Sequence, residues 1–186
     1  MPSPQGPNSP GTASSSFWAT PNNTFSSDNS YSTRSVSGAS STGILEVSNF
    51  GFSIPSGAVI YGIIIEIERK ASNTTGSPRD AAIRLKKTAG TAVGDELASG
   101  STWPTSDAYA TYGTSTTLHG TTWTDAEINA ITFGVMISGQ RNAGKGSTTF
   151  SVDHVRITVH YTEGDGGATA HKPVIVSQAI NRASRW

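Results

Sequence analysis

The sequence predicts an all-β fold: an antiparallel β-sandwich, jelly-roll-like, with extended arms at its N- and C-terminal ends. Three observations carry this prediction. Apolar and polar residues alternate over long runs in the middle of the chain, as in strands that bury one face. Turn residues punctuate those runs. The two ends, one uncharged and proline-rich and the other opened by glycines, lack the patterning of a core.

Residues 1–16 contain four prolines and no charge, which favours extended polyproline-like or irregular chain that is disordered on its own. From residue 17 to 43 the chain is rich in Ser, Thr and Asn, with Asp28 and Arg34 its only charges. Phe17, Trp18, Phe25 and Tyr31 are expected to anchor this stretch on the sandwich. A strand is expected in Ile44 to Phe52, followed by the turn Pro55-Ser56-Gly57. The clearest strand runs from Val59 to Arg69. Here Val59, Tyr61, Ile63, Ile65 and Ile67 share one face, and Glu66 and Glu68 the other. Ala81 to Lys87 places Ile83 and Leu85 inward.

Thr124-Asp-Ala-Glu-Ile-Asn has the capping-box spacing, Thr124 to Glu127, of the one short helix expected. Ile131 to Ser138 turns Phe133, Val135 and Ile137 inward, and Asn142-Ala143-Gly144 is a turn signal. Ser151 to Thr162 places Val155, Ile157, Val159 and Tyr161 inward and His154, Arg156, Thr158 and His160 outward. Glu163-Gly164-Asp165-Gly166-Gly167 reads as a hinge. The predicted division is therefore an arm at 1–16, a sandwich at 17–163 and a Gly-hinged arm at 164–186.

A chain of 186 residues suits one domain, and the strand-rich part can bury a core without staples. With no cysteine, disulfides, thiolate metal sites and cysteine nucleophiles are excluded. Lys plus Arg and Asp plus Glu both number 13, so neither a basic nucleic-acid surface nor an acidic one is expected. No apolar run approaches the roughly 20 residues that span a bilayer, and the start lacks a signal-peptide pattern. The expectation is a protein made and folded in the host cytoplasm, with no membrane partner.

Sequence features for chemistry are sparse. His119, His154, His160 and His171 lack close ligand spacing; His154 and His160 would stand about 20 Å apart along an extended strand. Asp153-His154 has many serines to pair with, but no Gly-x-Ser-x-Gly elbow. Glu66 and Glu68, about 7 Å apart on one strand face, offer a paired-carboxylate reading or, more plainly, a solvated face. Gly139 to Ser147 lacks the strand, spacing and helix of a phosphate loop, and its Arg141 and Lys145 are placed to touch a partner at the sandwich rim. No catalytic, cofactor or metal residue is expected.

Two sets of residues suggest binding. Beyond the hinge lie Val174, Ile175, Val176, Arg182, Arg185 and Trp186, with Lys172 and no acidic residue after Ala168. Such a tail would add a strand to a neighbour or insert Trp186 into its pocket; alternatively it folds back on its own sheet edge or frays. Trp103, Tyr109 and Trp123, with Tyr112 nearby, form a possible glycan platform, or else fill the sandwich ends.

Several motifs in order, Asn49 to Ala58, Glu66-Ile67-Glu68-Arg69, Trp103 to Tyr109, Thr122 to Asn129, Phe133-Gly134-Val135 and Ser151 to Val159, resemble a family of β-sandwich structural proteins of tailed-bacteriophage virions. The resemblance covers roughly residues 17–162 and brings no catalytic residue. It implies a non-enzymatic virion protein, foremost a capsid decoration or cement subunit. That subunit would self-associate and bind other virion proteins, the major capsid protein first, through its arms. A neck, tail or fibre protein, or a carbohydrate-binding attachment module, is the alternative.

Overall fold

The computed structural model describes residues 3–164. Eleven strands are present among them: β1 (Ser3–Asn8), β2 (Thr12–Ser14), β3 (Ser32–Ser37), β4 (Ser40–Ser41), β5 (Leu45–Ser48), β6 (Val59–Ala71), β7 (Arg79–Thr88), β8 (Thr91–Val93), β9 (Ala108–Tyr112), β10 (Gly134–Arg141) and β11 (Ser147–Thr162). A 3-10 turn, Pro21–Thr24, and one helix, α1 (Asp125–Asn129), complete the elements. Thr124 caps α1 as its spacing predicts, with Thr124 and Glu127 each bonding the other's backbone N–H.

The strands form two antiparallel sheets, one of five strands and one of six. In the first, β6 lies along one side of the long β11, β1 and β3 divide the other side, and β9 flanks β6. In the second, β10 lies between β7 and the successive β5 and β4, with β8 beyond β7 and β2 beyond β5. Leaving aside β1, β2 and β4, the orders are β3-β11-β6-β9 and β5-β10-β7-β8. The chain crosses between sheets at each step except the β7–β8 hairpin. Those are the two interleaved Greek keys of a jelly roll.

The facing surfaces hold the core. Ile63, Ile65 and Ile67 of β6 and Val155, Ile157 and Val159 of β11 meet Ile83, Leu85, Val135 and Ile137 of the other sheet, all with no exposed surface. Burial of each stabilises by about 1.5–3 kcal/mol. An aromatic plug closes one end: the Phe133 ring stands edge-on to Trp123, Phe52 and Phe50, with centroids 5.4, 5.9 and 6.4 Å away.

Three expectations are corrected. Residues 3–16 are not a free arm: β1 pairs with β11 and β2 with β5, on the protein's own sheets. Pro4 and Pro7 sit on an edge strand, where a missing donor costs no central ladder bond. Second, the inward face of β6 shifts at its start. Tyr161 pairs with Ile60 and His160 with Gly62, leaving Tyr61 as the extra residue of a bulge. Alternation changes phase there, so Ile60 is buried and Val59 is 60% exposed. Third, the strand expected from Ile131 begins at Gly134, and Ile131 is exposed.

Candidate functional site

A polar cluster lies on the outer face of the five-stranded sheet, beneath the segment that joins β2 to β3. Register creates it. His154 pairs with Glu68 and Arg156 with Glu66 across β11 and β6, while Tyr109 pairs with Glu68 from β9. A second bulge, with Asp153 as the extra residue between Val152 and His154, turns Asp153 toward the covering segment.

His154 is buried and bonded at both ring nitrogens. Ser9 Oγ lies 2.8 Å from Nε2 and the Tyr109 hydroxyl 2.8 Å from Nδ1. Burial, helped by the neighbouring Arg156 charge, lowers its pKa below the ordinary histidine value. Asp153 is buried more deeply; desolvation raises its pKa although it accepts the Asn29 backbone N–H at 3.0 Å. Arg156 grips Glu66 with two bonds of 2.9 Å and lies 4.2 Å from the Tyr109 ring centroid. Farther along, Tyr31 and Lys70 both donate to Asp107, at 2.9 and 3.1 Å.

These contacts hold the N-terminal segment. Ser9, Asn29 and Tyr31 each reach a different group of the sheet, and Phe25 forms a backbone bridge to His154. The Ser9–His154 pair has the spacing of a nucleophile and base. The third partner, however, is a phenol rather than a carboxylate, and the lowered histidine pKa reduces its basicity. The cluster's evident chemistry is a latch.

The carboxylate pair does not come together as acid and base: Glu66 is committed to Arg156, whereas Glu68 keeps one buried oxygen without a partner. Nor does the glycan platform form. Trp103 has no exposed surface; its indole N–H donates to Asp80 at 2.8 Å and its ring stands edge-on to Phe150 at 4.9 Å. Trp123 is buried in the aromatic plug, and Tyr109 is covered by Arg156. Burial of the two indoles and the Arg156 guanidinium over Tyr109 remove the ring faces a sugar would need. Arg141 is likewise no rim contact: it is buried and donates to the carbonyls of Thr75 and Gly146, at 3.2 and 2.7 Å, tying two loops.

Val174, Ile175, Val176, Arg182, Arg185 and Trp186, the tail residues expected to bind a partner, lie outside the described residues. Among the described residues there is no cluster of three or more His, Cys, Asp or Glu side chains suited to a metal, and no helix long and apolar enough to cross a membrane.

No protein-family model, curated protein or solved structure matches this chain. The likeness to phage virion proteins therefore stands on the motifs of the sequence alone.

A buried group that the sequence reading missed is Asp80. The Arg69 guanidinium, the Trp103 indole N–H, the Tyr112 hydroxyl at 2.9 Å and the Ser99 backbone N–H at 2.8 Å all donate to its two oxygens. Arg69 was detectable, since it continues the odd-numbered series Ile63, Ile65, Ile67 into the core. Asp80 was not, because a bulge at Ala81 inverts the phase of β7.

Proposed function

We propose that this protein is a non-enzymatic structural subunit of a bacteriophage virion, a decoration or cement protein that binds neighbouring shell subunits from one end of its sandwich. The observation that carries the reading is the exit of the C-terminal segment. β11 ends at Thr162 opposite Val59, and Gly164 lies so close to the Gly57 carbonyl that a Cβ there would collide with it. Gly164, the last described residue, is therefore held at a fixed point. Two of the three exposed large hydrophobics among the described residues, Val59 and Ile131, lie at that same end. Asn129, just before Ile131, exchanges hydrogen bonds with the Ile54 backbone in the loop leading to β6.

The edges support this direction of assembly. β2 and β8 have three residues each, β9 has five, and β1 carries two prolines. Short or proline-bearing edges discourage open-ended strand pairing between subunits. Contacts through an end and an arm can be repeated by a closed symmetry and strengthened by multivalency.

The test is incorporation into particles. Deleting residues 168–186 should leave a folded sandwich that no longer joins particles, and cryo-EM should find the intact protein across the icosahedral shell. Density confined to the portal vertex, tail or fibres would move the protein there; undiminished incorporation of the deletion variant would refute the arm.

A further inference from the structure

One sheet edge lacks the usual defences. β9 ends the five-stranded sheet, pairing with β6 on one side and, among the described residues, with no strand on the other. Its sequence, Ala-Tyr-Ala-Thr-Tyr, has no proline and no charge, and its register against β6 runs without a shift. Prolines, charges and bulges are what normally blunt an edge. Five residues are too few for open-ended sheet growth but enough for one short strand.

The register determines which backbone groups of β9 are free. Ile63 donates its N–H to the Thr117 carbonyl and Ala71 its N–H to the Pro104 carbonyl, both in the chain that flanks β9. Backbone groups alternate in direction along a strand, so Ile65, Ile67 and Arg69 also point toward β9. They bond Tyr112, Ala110 and Ala108, which stand opposite them. The N–H and C=O groups of Tyr109 and Thr111 therefore face away from the sheet. No hydrogen bond from the described residues reaches these four groups.

A cleft of about 450 Å³ borders that edge. Ala110, Thr111 and Tyr112 line one side, and Leu97, Ser99 and Ser101 the other. The far wall is fixed to the sandwich, because Leu97 donates its N–H to the Ile83 carbonyl at 2.9 Å and Ser99 its N–H to Asp80 at 2.8 Å. The cleft's volume specifies no ligand, but the free ladder does. Alternating donors and acceptors at strand spacing match another extended main chain.

The chain itself contains a segment suited to that ladder. Residues 173–180 are uncharged and include three consecutive β-branched residues, Val174, Ile175 and Val176, which favour extended conformation. Three residues suffice. The first and third pair with Thr111 and Tyr109 through four hydrogen bonds, while the middle one stands opposite Ala110, on the inward face that Ala110 shares with the buried Ile67.

Register also favours a second copy as the donor. β11 ends at Thr162 opposite Val59, whereas the near end of β9, Tyr112, is opposite Ile65, six residues back along β6. To reach its own β9, a chain would have to reverse and pass the 113–118 loop; a neighbour's edge requires no reversal. Residues 165–173, at about 3.3 Å each, allow a reach of roughly 30 Å.

We propose that the free edge of β9 receives residues 174–176 of a second copy of this chain as an added strand. This rests on the reading of the C-terminal segment as an assembly arm and names the surface that takes it. Each copy supplies one edge and one strand, which suits a closed ring or a reciprocal pair.

The chain has no cysteine, so single cysteines can be placed in the full-length protein to test the contact. Thr111→Cys chains mixed with Val174→Cys or Val176→Cys chains and oxidised should form disulfide-linked pairs. Ser35→Cys chains, exposed on β3 at the opposite side of the sheet, should not. Thr111→Pro removes an outward N–H without costing a bond to β6, so it should keep the melting temperature yet weaken self-association in sedimentation by about tenfold or more. Cross-linking no stronger with Thr111→Cys than with Ser35→Cys, or a Thr111→Pro variant that associates like the parent, would overturn the edge. Closure of a Thr111→Cys/Val174→Cys double variant within single chains at high dilution would overturn the second copy. If deleting residues 168–186 still abolishes incorporation while the cross-link fails, the arm stands and this recipient falls.

Discussion

Replacing Asp80 by Asn tests which half of the buried ion pair the fold depends on. The side chains of both partners are almost wholly buried, Arg69 at 4% exposure and Asp80 at 0%. The substitution keeps the shape but removes the charge opposing Arg69, and breaking a buried pair from one side costs about 3–5 kcal/mol. It also places an amide N–H₂ where the Tyr112 hydroxyl and the Ser99 N–H now donate. The hydroxyl can rotate to accept, but the Ser99 N–H cannot, adding about 1–3 kcal/mol. The terms overlap, so a loss of at least about 3 kcal/mol is expected, lowering Tm by about 6–12 °C at the usual 2–4 °C per kcal/mol for this size. Arg69→Met should cost less, because Asp80 keeps three donors whereas Arg69 has no other ionic partner. Urea titrations of both variants and the double variant measure the difference and the coupling. A larger loss for Arg69→Met, or a coupling under about 0.5 kcal/mol, would refute the reasoning.

Two further predictions concern the outer latch. Because the folded His154 pKa lies below its unfolded value near 6.5, the unfolded chain takes up the proton first, and stability should fall as pH drops through that value. The raised pKa of Asp153 acts in the opposite direction at lower pH, where the folded state protonates first and regains stability. Urea midpoints across this range should flatten near pH 6 in His154→Gln; an unchanged slope would assign the effect elsewhere. Removing residues 1–16 should uncover the β11 edge opposite β6, cost on the order of 3 kcal/mol from lost ladder bonds and the Ser9 contact, and promote aggregation visible by light scattering. A monomeric truncated protein with wild-type stability would contradict the pairing of β1.

Strands whose alternation is uninterrupted were legible in the sequence. Ile63 to Ile67, Ile83 with Leu85, Val135 with Ile137 and Val155 to Val159 all face the core as their period requires. The N-terminal strands were not, because Ser3–Asn8 contains two prolines and Thr12–Ser14 is too short to show a period. Their place is set by the open sides of β11 and β5, which are tertiary facts. Of the two readings open for Trp103, glycan platform or filler of the sandwich end, the structure takes the second. An aromatic residue within a Pro-Thr-Ser-Asp stretch resembles an exposed loop tip, yet its backbone N–H donates to the Pro78 carbonyl at 2.7 Å and its indole to Asp80.

Bulges explain much of the remaining gap. At Tyr61, Ala81 and Asp153 one extra residue reverses the faces of a strand. Without the shift at Ala81, Asp80 would point outward and Arg69 would be an unpaired charge in the core, which the fold could not tolerate. Asp80 in turn gathers Trp103, Tyr112 and Ser99 around Arg69. The shift at Asp153 likewise brings that carboxylate to the Asn29 backbone while His154 remains opposite Glu68. Both polar clusters thus depend on local interruptions of the alternation from which the sandwich is predicted. Period-two reading identifies the sheets, whereas the sites arise where that period breaks.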